Sequence, residues 1–92
     1  MGQGMRRLAQ TTPFLRDIKR MKKRGKDIGK LQAIVSCLRR GLPLETRCRD
    51  HALAGEWSPC RDCHVEPDWI LIYEIDPDEL HLVRTGTHAD IF

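Results

Sequence analysis

No stretch of the chain approaches the roughly 20 consecutive apolar residues that cross a membrane, and the N-terminus lacks the apolar core of a secretory leader. Met1-Gly2 begins like an N-myristoylation signal, but Arg6 stands where that signal requires Ser or Thr. These absences predict a cytoplasmic protein with no membrane partner, in which Cys37, Cys48, Cys60 and Cys63 are reduced thiols. Methionine is missing beyond Met21, and no second cysteine lies close to Cys48. Both gaps weaken a metal reading of Cys60-Arg61-Asp62-Cys63-His64, which has the Cys-x-x-Cys-His form of c-type haem attachment. Haem would need export and an axial ligand that the chain does not offer. Zinc is the better rival, drawing on Cys48, Cys60, Cys63 and either His64 or His51. Structural zinc ordinarily holds together chains that lack a core, and this chain can build one. The expectation is four ordinary cysteines, with no metal and no cofactor.

What is present is the composition of one small folded domain spanning residues 1–92, with 40% hydrophobic and 32% charged residues. There is no repeat, low-complexity segment or second domain. The net charge of +3 is modest, but its distribution is not. Arg16, Lys19, Arg20, Lys22, Lys23, Arg24, Lys26 and Lys30 face only Asp17 and Asp27 in the same stretch. A run of this kind is ordinarily a solvated helix face, and it also suits a polyanion or an acidic protein partner.

Hydrophobic periodicity divides the chain in two. Met5 to Gln10 reads as a short first strand. Thr12 followed by Pro13 predicts a helix start, and Phe14, Leu15, Ile18 and Met21 then share one face until Gly25. Asp27 caps a second helix whose stripe is Ile28, Leu31, Ile34, Val35 and Leu38, closed by Gly41 and Pro43. The short link makes the two a helical hairpin. Leu42 to Trp57 reads as loop and short extended pieces, and Cys60 to Glu66 as a strand. Trp69 to Ile75 is the most strand-like run, with Trp69, Leu71, Tyr73 and Ile75 on one face and Ile70 and Ile72 on the other. Apolar character on both faces marks a central strand. Asp76-Pro77-Asp78 turns the chain into a strand from Glu79 to Thr85, and Thr87 to Phe92 suggests a last edge strand. The fold class is therefore α+β, two helices on a mainly antiparallel sheet.

Four histidines carry the candidate chemistry. His81 alternates within a strand and reads as structural. His51 follows Asp50 in a loop, His64 stands at a strand end four residues before Asp68, and His88 follows a Thr-Gly-Thr turn. A scaffold presents functional groups at such ends, and clustered imidazoles can divide acid and base roles near neutral pH.

Three blocks of sequence carry a resemblance: Asp50-His51-Ala52-Leu53-Ala54-Gly55-Glu56-Trp57, Arg61-Asp62-Cys63-His64 running on through Tyr73, and Arg84-Thr85-Gly86-Thr87-His88 ending at Phe92. In order and spacing they resemble the YafQ branch of the RelE/ParE toxin superfamily, the toxins of bacterial type II toxin–antitoxin modules. The resemblance is continuous over the C-terminal half and extends to the layout of the helical hairpin. It implies a RelE-like fold and an endoribonuclease that cleaves mRNA in the ribosomal A site. The positions that match the functional ones are His51, His64, Asp68 and His88, with Trp69 and Phe92 beside the RNA and Asp62 a weaker candidate; the place of Trp69 in an apolar strand suits packing under the site at least as well. It also implies an acidic, DNA-binding antitoxin as partner, together with the 70S ribosome and mRNA. RNA supplies its own nucleophile, the 2′-OH, so a base, a cationic stabiliser and an acid suffice. His88 is assigned as the acid, with His51, His64 and Asp68 sharing the remaining work. Related ParE-like proteins share the fold but inhibit DNA gyrase by binding, which is the rival reading.

Overall fold

The computed structural model describes residues 4–92. Strand β1 (Arg7–Gln10) leads into helices α1 (Thr12–Lys23) and α2 (Ile28–Arg39). After a loop come β2 (His51–Ala52), β3 (Arg61–Glu66), β4 (Trp69–Ile75), β5 (Glu79–Gly86) and a terminal helix α3 (His88–Ile91). The five strands form one sheet in the order β1-β5-β4-β3-β2. All neighbours are antiparallel except β1, which runs parallel to β5. This is the expected α+β architecture.

Local chemistry explains most element ends. Thr11, not Thr12, caps α1: its hydroxyl accepts from the Phe14 amide at 3.0 Å and donates to the Val83 carbonyl at 2.7 Å. The second bond, to β5, distinguishes two adjacent threonines that look alike in sequence. Asp27 caps α2 as expected, accepting from Gly29 N–H at 2.9 Å, and Gly25 leaves α1 at a φ of 81°. The first strand is shorter than Met5 to Gln10. The C-terminal segment corrects the expectation of an edge strand. Thr87 accepts from the Asp90 amide and Asp90 accepts from the Thr87 amide, a reciprocal capping box that starts a helix instead.

β4 is the axis of the fold. Trp69 to Tyr73 are each at most 1% exposed. Trp69, Leu71 and Tyr73 meet Phe14, Met21, Leu31 and Leu38 from the two helices, while Ile70 and Ile72 pack on Cys60 beneath Leu53, Trp57, Val83 and Ile91. The helices thus cover one face. The other face holds only a small apolar cluster and leaves room for polar groups. Alternation also separates the two cysteines of the Cys-x-x-Cys-His motif, Cys63 lying in the main core and Cys60 in the small cluster across the sheet.

One buried carboxylate joins the layers. Asp17 of α1, 1% exposed, accepts from Arg84 Nε at 2.7 Å and Nη2 at 3.0 Å, from the Thr85 amide at 3.1 Å and from Arg20 Nη2 at 3.2 Å. Removing it would strand a guanidinium and an amide without an acceptor. Asp17→Ala is expected to cost about 3–5 kcal/mol, read as a lowered urea midpoint; an unchanged midpoint contradicts this account.

Candidate active site

The open face of the sheet collects the polar residues singled out in the sequence. On β3, Asp62 pairs with Ile72 and His64 with Ile70, so both side chains emerge on the face away from the helices. β2 brings His51 opposite Asp62. The tight turn after β3 presents Asp68, and α3 presents His88. The pairing is irregular on both sides of β4, with register shifts between His64 and Glu66 and between Ile72 and Tyr73.

Each imidazole is oriented differently. His88 Nδ1 lies 2.8 Å from Asp68 Oδ1, and the same oxygen accepts from the His88 amide at 3.2 Å. A carboxylate acceptor fixes the proton on Nδ1 and leaves Nε2 to face outward. The hydrogen bond from His88 in turn lowers the Asp68 pKa, keeping the carboxylate ionised. His51 Nδ1 lies 2.8 Å from the Arg49 carbonyl, an acceptor that again selects the Nδ1–H tautomer. Its Nε2 lies 4.0 Å from Asp62 Oδ2, beyond hydrogen-bond distance. Arg49 has a φ of 50°, the only non-glycine residue among those described with a positive value, and this twist aims its carbonyl at His51. The His64 and His88 rings lie 5.6 Å apart, inclined at 55°.

Asp62 sits beneath the cluster, 4% exposed. Among the described residues its Oδ1 has no hydrogen-bond partner. Burial raises its pKa, opposed by the nearby imidazoles of His51, His64 and His88. A carboxylate that is costly to ionise therefore lies where three imidazoles converge.

Aromatic residues complete the rim. Phe92, 57% exposed, lies 6.4 Å from the His88 ring and meets Trp57 edge-to-face at 5.4 Å. Trp57 was not singled out by the sequence reading, although it ends the first of the three blocks. Trp69 is a correction. It is completely buried on the helix side of β4, and its Nε1 donates to Thr85 Oγ1 at 2.9 Å. Its ring has no face open to a nucleic-acid base and serves the core. His81 stays apart, exposed beside Glu79. A cleft of about 650 Å³ between α2 and β3 opens beside His64, with Lys30, Arg47 and Arg49 on its wall.

Further groups hold the site from behind. Asp50 accepts from the Tyr73 hydroxyl at 2.5 Å and from two Arg61 nitrogens at 3.2–3.3 Å, anchoring the loop that precedes His51. Asp90 accepts from Arg24 at 2.6 and 3.0 Å, and that pairing depresses its pKa strongly. Thr87-x-x-Asp90 is a helix-start pattern legible in the sequence, but its partner on α1 is not.

The state of Asp62 has a consequence for stability. A carboxyl whose pKa is raised on folding destabilises the protein above that raised pKa. The penalty vanishes below the ordinary value of 3.8. Asp62→Asn is therefore expected to raise stability at neutral pH by about 1 kcal/mol, the scale of one poorly satisfied buried group. The gain should disappear below pH 3.8. Thermal melts of both proteins across pH check this, and a variant less stable at pH 7 contradicts it.

Comparison with known proteins places this geometry in a family. The family described as the bacterial toxin of a type II toxin–antitoxin system, YafQ, matches residues 6–92. The mRNA interferase toxin YafQ of Escherichia coli K12 is 46% identical over 80 residues, covering 86% of this chain and 87% of that protein. The toxin in the crystal structure of the E. coli DinJ–YafQ toxin–antitoxin complex superposes with a TM-score of 0.89 at 43% identity, over 96% and 98% of the two chains. A copper-bound mutant toxin from Helicobacter pylori superposes with a TM-score of 0.91 at 38% identity, over 96% of this chain and 100% of that one. With residues 6–92 matched by the family and nearly the whole fold superposed, the chain belongs to the YafQ family of type II toxin–antitoxin toxins.

Proposed function

We propose that this toxin is an endoribonuclease that cleaves mRNA in the ribosomal A site, using the substrate's own 2′-OH as nucleophile. The observation that carries the proposal is the pairing of two imidazoles with opposite preparation on one open face. His51 donates Nδ1–H to a neutral carbonyl and offers Nε2 as a base. His88 donates Nδ1–H to a carboxylate, which fixes the ring with Nε2 toward the substrate as the proton donor. In this mechanism His51, backed by Asp62, takes the 2′ proton as the 2′ oxygen attacks the adjacent phosphorus. His64, beside His88, stabilises the charge that gathers on the phosphorane oxygens. His88, held by Asp68, protonates the departing 5′ oxygen. The products are a 2′,3′-cyclic phosphate and a 5′-hydroxyl. Because the nucleophile is part of the substrate, no metal-bound water is needed for attack.

The exposed Phe92 ring, braced by Trp57, offers a stacking platform for a base near the scissile bond. The outward cations of α1, Arg16, Lys19, Lys22 and Lys23, are exposed and suit ribosomal RNA phosphates. The E. coli relative is found in complex with DinJ, which supports a cognate antitoxin for this chain. An acidic, DNA-binding partner fits its basic surface, and a cytoplasmic site of action follows from a ribosomal target.

His88→Ala is expected to reduce cleavage by about 10²–10⁴-fold, the usual weight of a general acid, with circular dichroism and antitoxin binding unchanged. A variant that cleaves at the wild-type rate removes His88 from this role. Induction in cells followed by mapping of transcript ends tests the activity itself. New internal mRNA ends within coding regions are expected, whereas arrested DNA replication without new ends would support a gyrase-binding toxin instead.

A further inference from the structure

The helix that carries His88 has only four residues. An isolated helix this short has no stability of its own, so its orientation must be imposed from outside. The contacts that impose it converge on Asp90. Its carboxylate accepts the Thr87 amide at 2.9 Å, closing the capping box one residue before His88. The same carboxylate is gripped by Arg24 through two nitrogens, at 2.6 and 3.0 Å, and approached by Arg20 at 3.4 Å. Arg24 is the C-cap of α1, and α1 is anchored to the sheet through Asp17. A rigid path therefore runs from the core through Arg24 and Asp90 to the backbone of His88.

The chain also keeps this approach clear. Gly86 has a φ of 155°, and a Cβ added there would lie 2.9 Å from Asp90 Oδ2 and 3.1 Å from Asp90 Cβ. A side chain at 86 would push the Asp90 carboxylate from its place. Asp90 is tucked in, its side chain 14% exposed, although it contacts none of the three histidines through a hydrogen bond or ion pair among those described. It is thus poorly placed to touch RNA itself.

We propose that Arg24 and Asp90 are positioning residues for the acid: they act on catalysis only by fixing α3 so that the His88 ring meets Asp68 and presents Nε2. This rests on the ribonuclease reading given above. Two otherwise unconnected features are then explained, namely why Arg24, at the end of the basic run, turns its guanidinium onto Asp90, and why the turn before His88 requires glycine.

The test is a series of purified full-length toxins assayed for mRNA cleavage on ribosomes: wild type, Arg24→Lys, Arg24→Ala, Asp90→Asn and His88→Ala. Arg24→Ala and Asp90→Asn are expected to lower kcat about tenfold to a hundredfold, the scale of a misplaced reacting group, with KM changed less than threefold. Arg24→Lys, which keeps the charge but loses the two-pronged grip, should fall between wild type and Arg24→Ala. Nitrogen-15 spectra of the histidine rings, recorded without ribosomes or RNA, supply a readout independent of activity. The His88 Nδ1 signal should lose its carboxylate-bonded character in Arg24→Ala and Asp90→Asn, while His51 keeps its own. A flat kcat series, a loss confined to KM, or an unmoved His88 signal overturns the inference. If instead His88→Ala cleaves like wild type, it is the ribonuclease assignment of His88 that fails, and the ring spectra still decide whether Arg24 and Asp90 orient it.

Discussion

A carboxylate sealed from water must be satisfied on every side, and Asp17 is satisfied by the parts of this fold that most need holding together. Its four hydrogen-bond donors come from α1 itself and from the end of β5. Thr85, whose amide it accepts, uses its hydroxyl to bridge Trp69 Nε1 and the Ile70 carbonyl on β4. The first helix, the last strand and the central strand are thereby locked in one register at the point where the chain leaves the sheet for His88. Apolar packing on that side supplies most of the stabilisation, but it is non-directional. The hydrogen bonds around Asp17 set orientation, and orientation is what the open face requires.

The two faces of the sheet are held to different standards. The helix side is densely apolar and its buried polar groups are paired. On the other side, Asp62 is buried with an oxygen unpartnered among the described residues, and Arg49 adopts a left-handed backbone. Both features lie beside the imidazoles. Such local costs are tolerable because the helix side is well made, and costs of this kind are commonly gathered at functional sites.

Much of this was legible in the sequence, because it depended on period. The alternation from Trp69 to Ile75 identified a central strand with two covered faces, and the helical stripes identified the residues that cover one of them. The convergence of His51, His64, Asp68 and His88 beside that strand came from the resemblance in three blocks, since no local pattern reports a distance between residues far apart in the chain. What remained hidden had the same cause. Thr11 and Thr12 are equivalent until the Val83 carbonyl arrives from β5. The tail reads as a possible strand because a four-residue helix has no period to display. Trp69 sits beside Asp68 in sequence, and only the pleat shows that its ring points to the opposite side from the histidines. The loudest motif is divided by the sheet as well, since Cys63 lies in the main core and Cys60, just before β3, in the small cluster on the other face.

The two tryptophans of the chain consequently live in opposite surroundings. Trp69 is dry, hydrogen-bonded and enclosed by the main core, whereas Trp57 is half-buried against the exposed Phe92 ring. Indole emission shifts with the polarity and mobility of its environment. The protein thus carries two built-in optical reporters, one for the integrity of the fold and one for what settles on the rim of the histidine cluster. Replacing either tryptophan by phenylalanine would let the other be followed alone, so that unfolding and occupation can be watched as separate events in the same molecule.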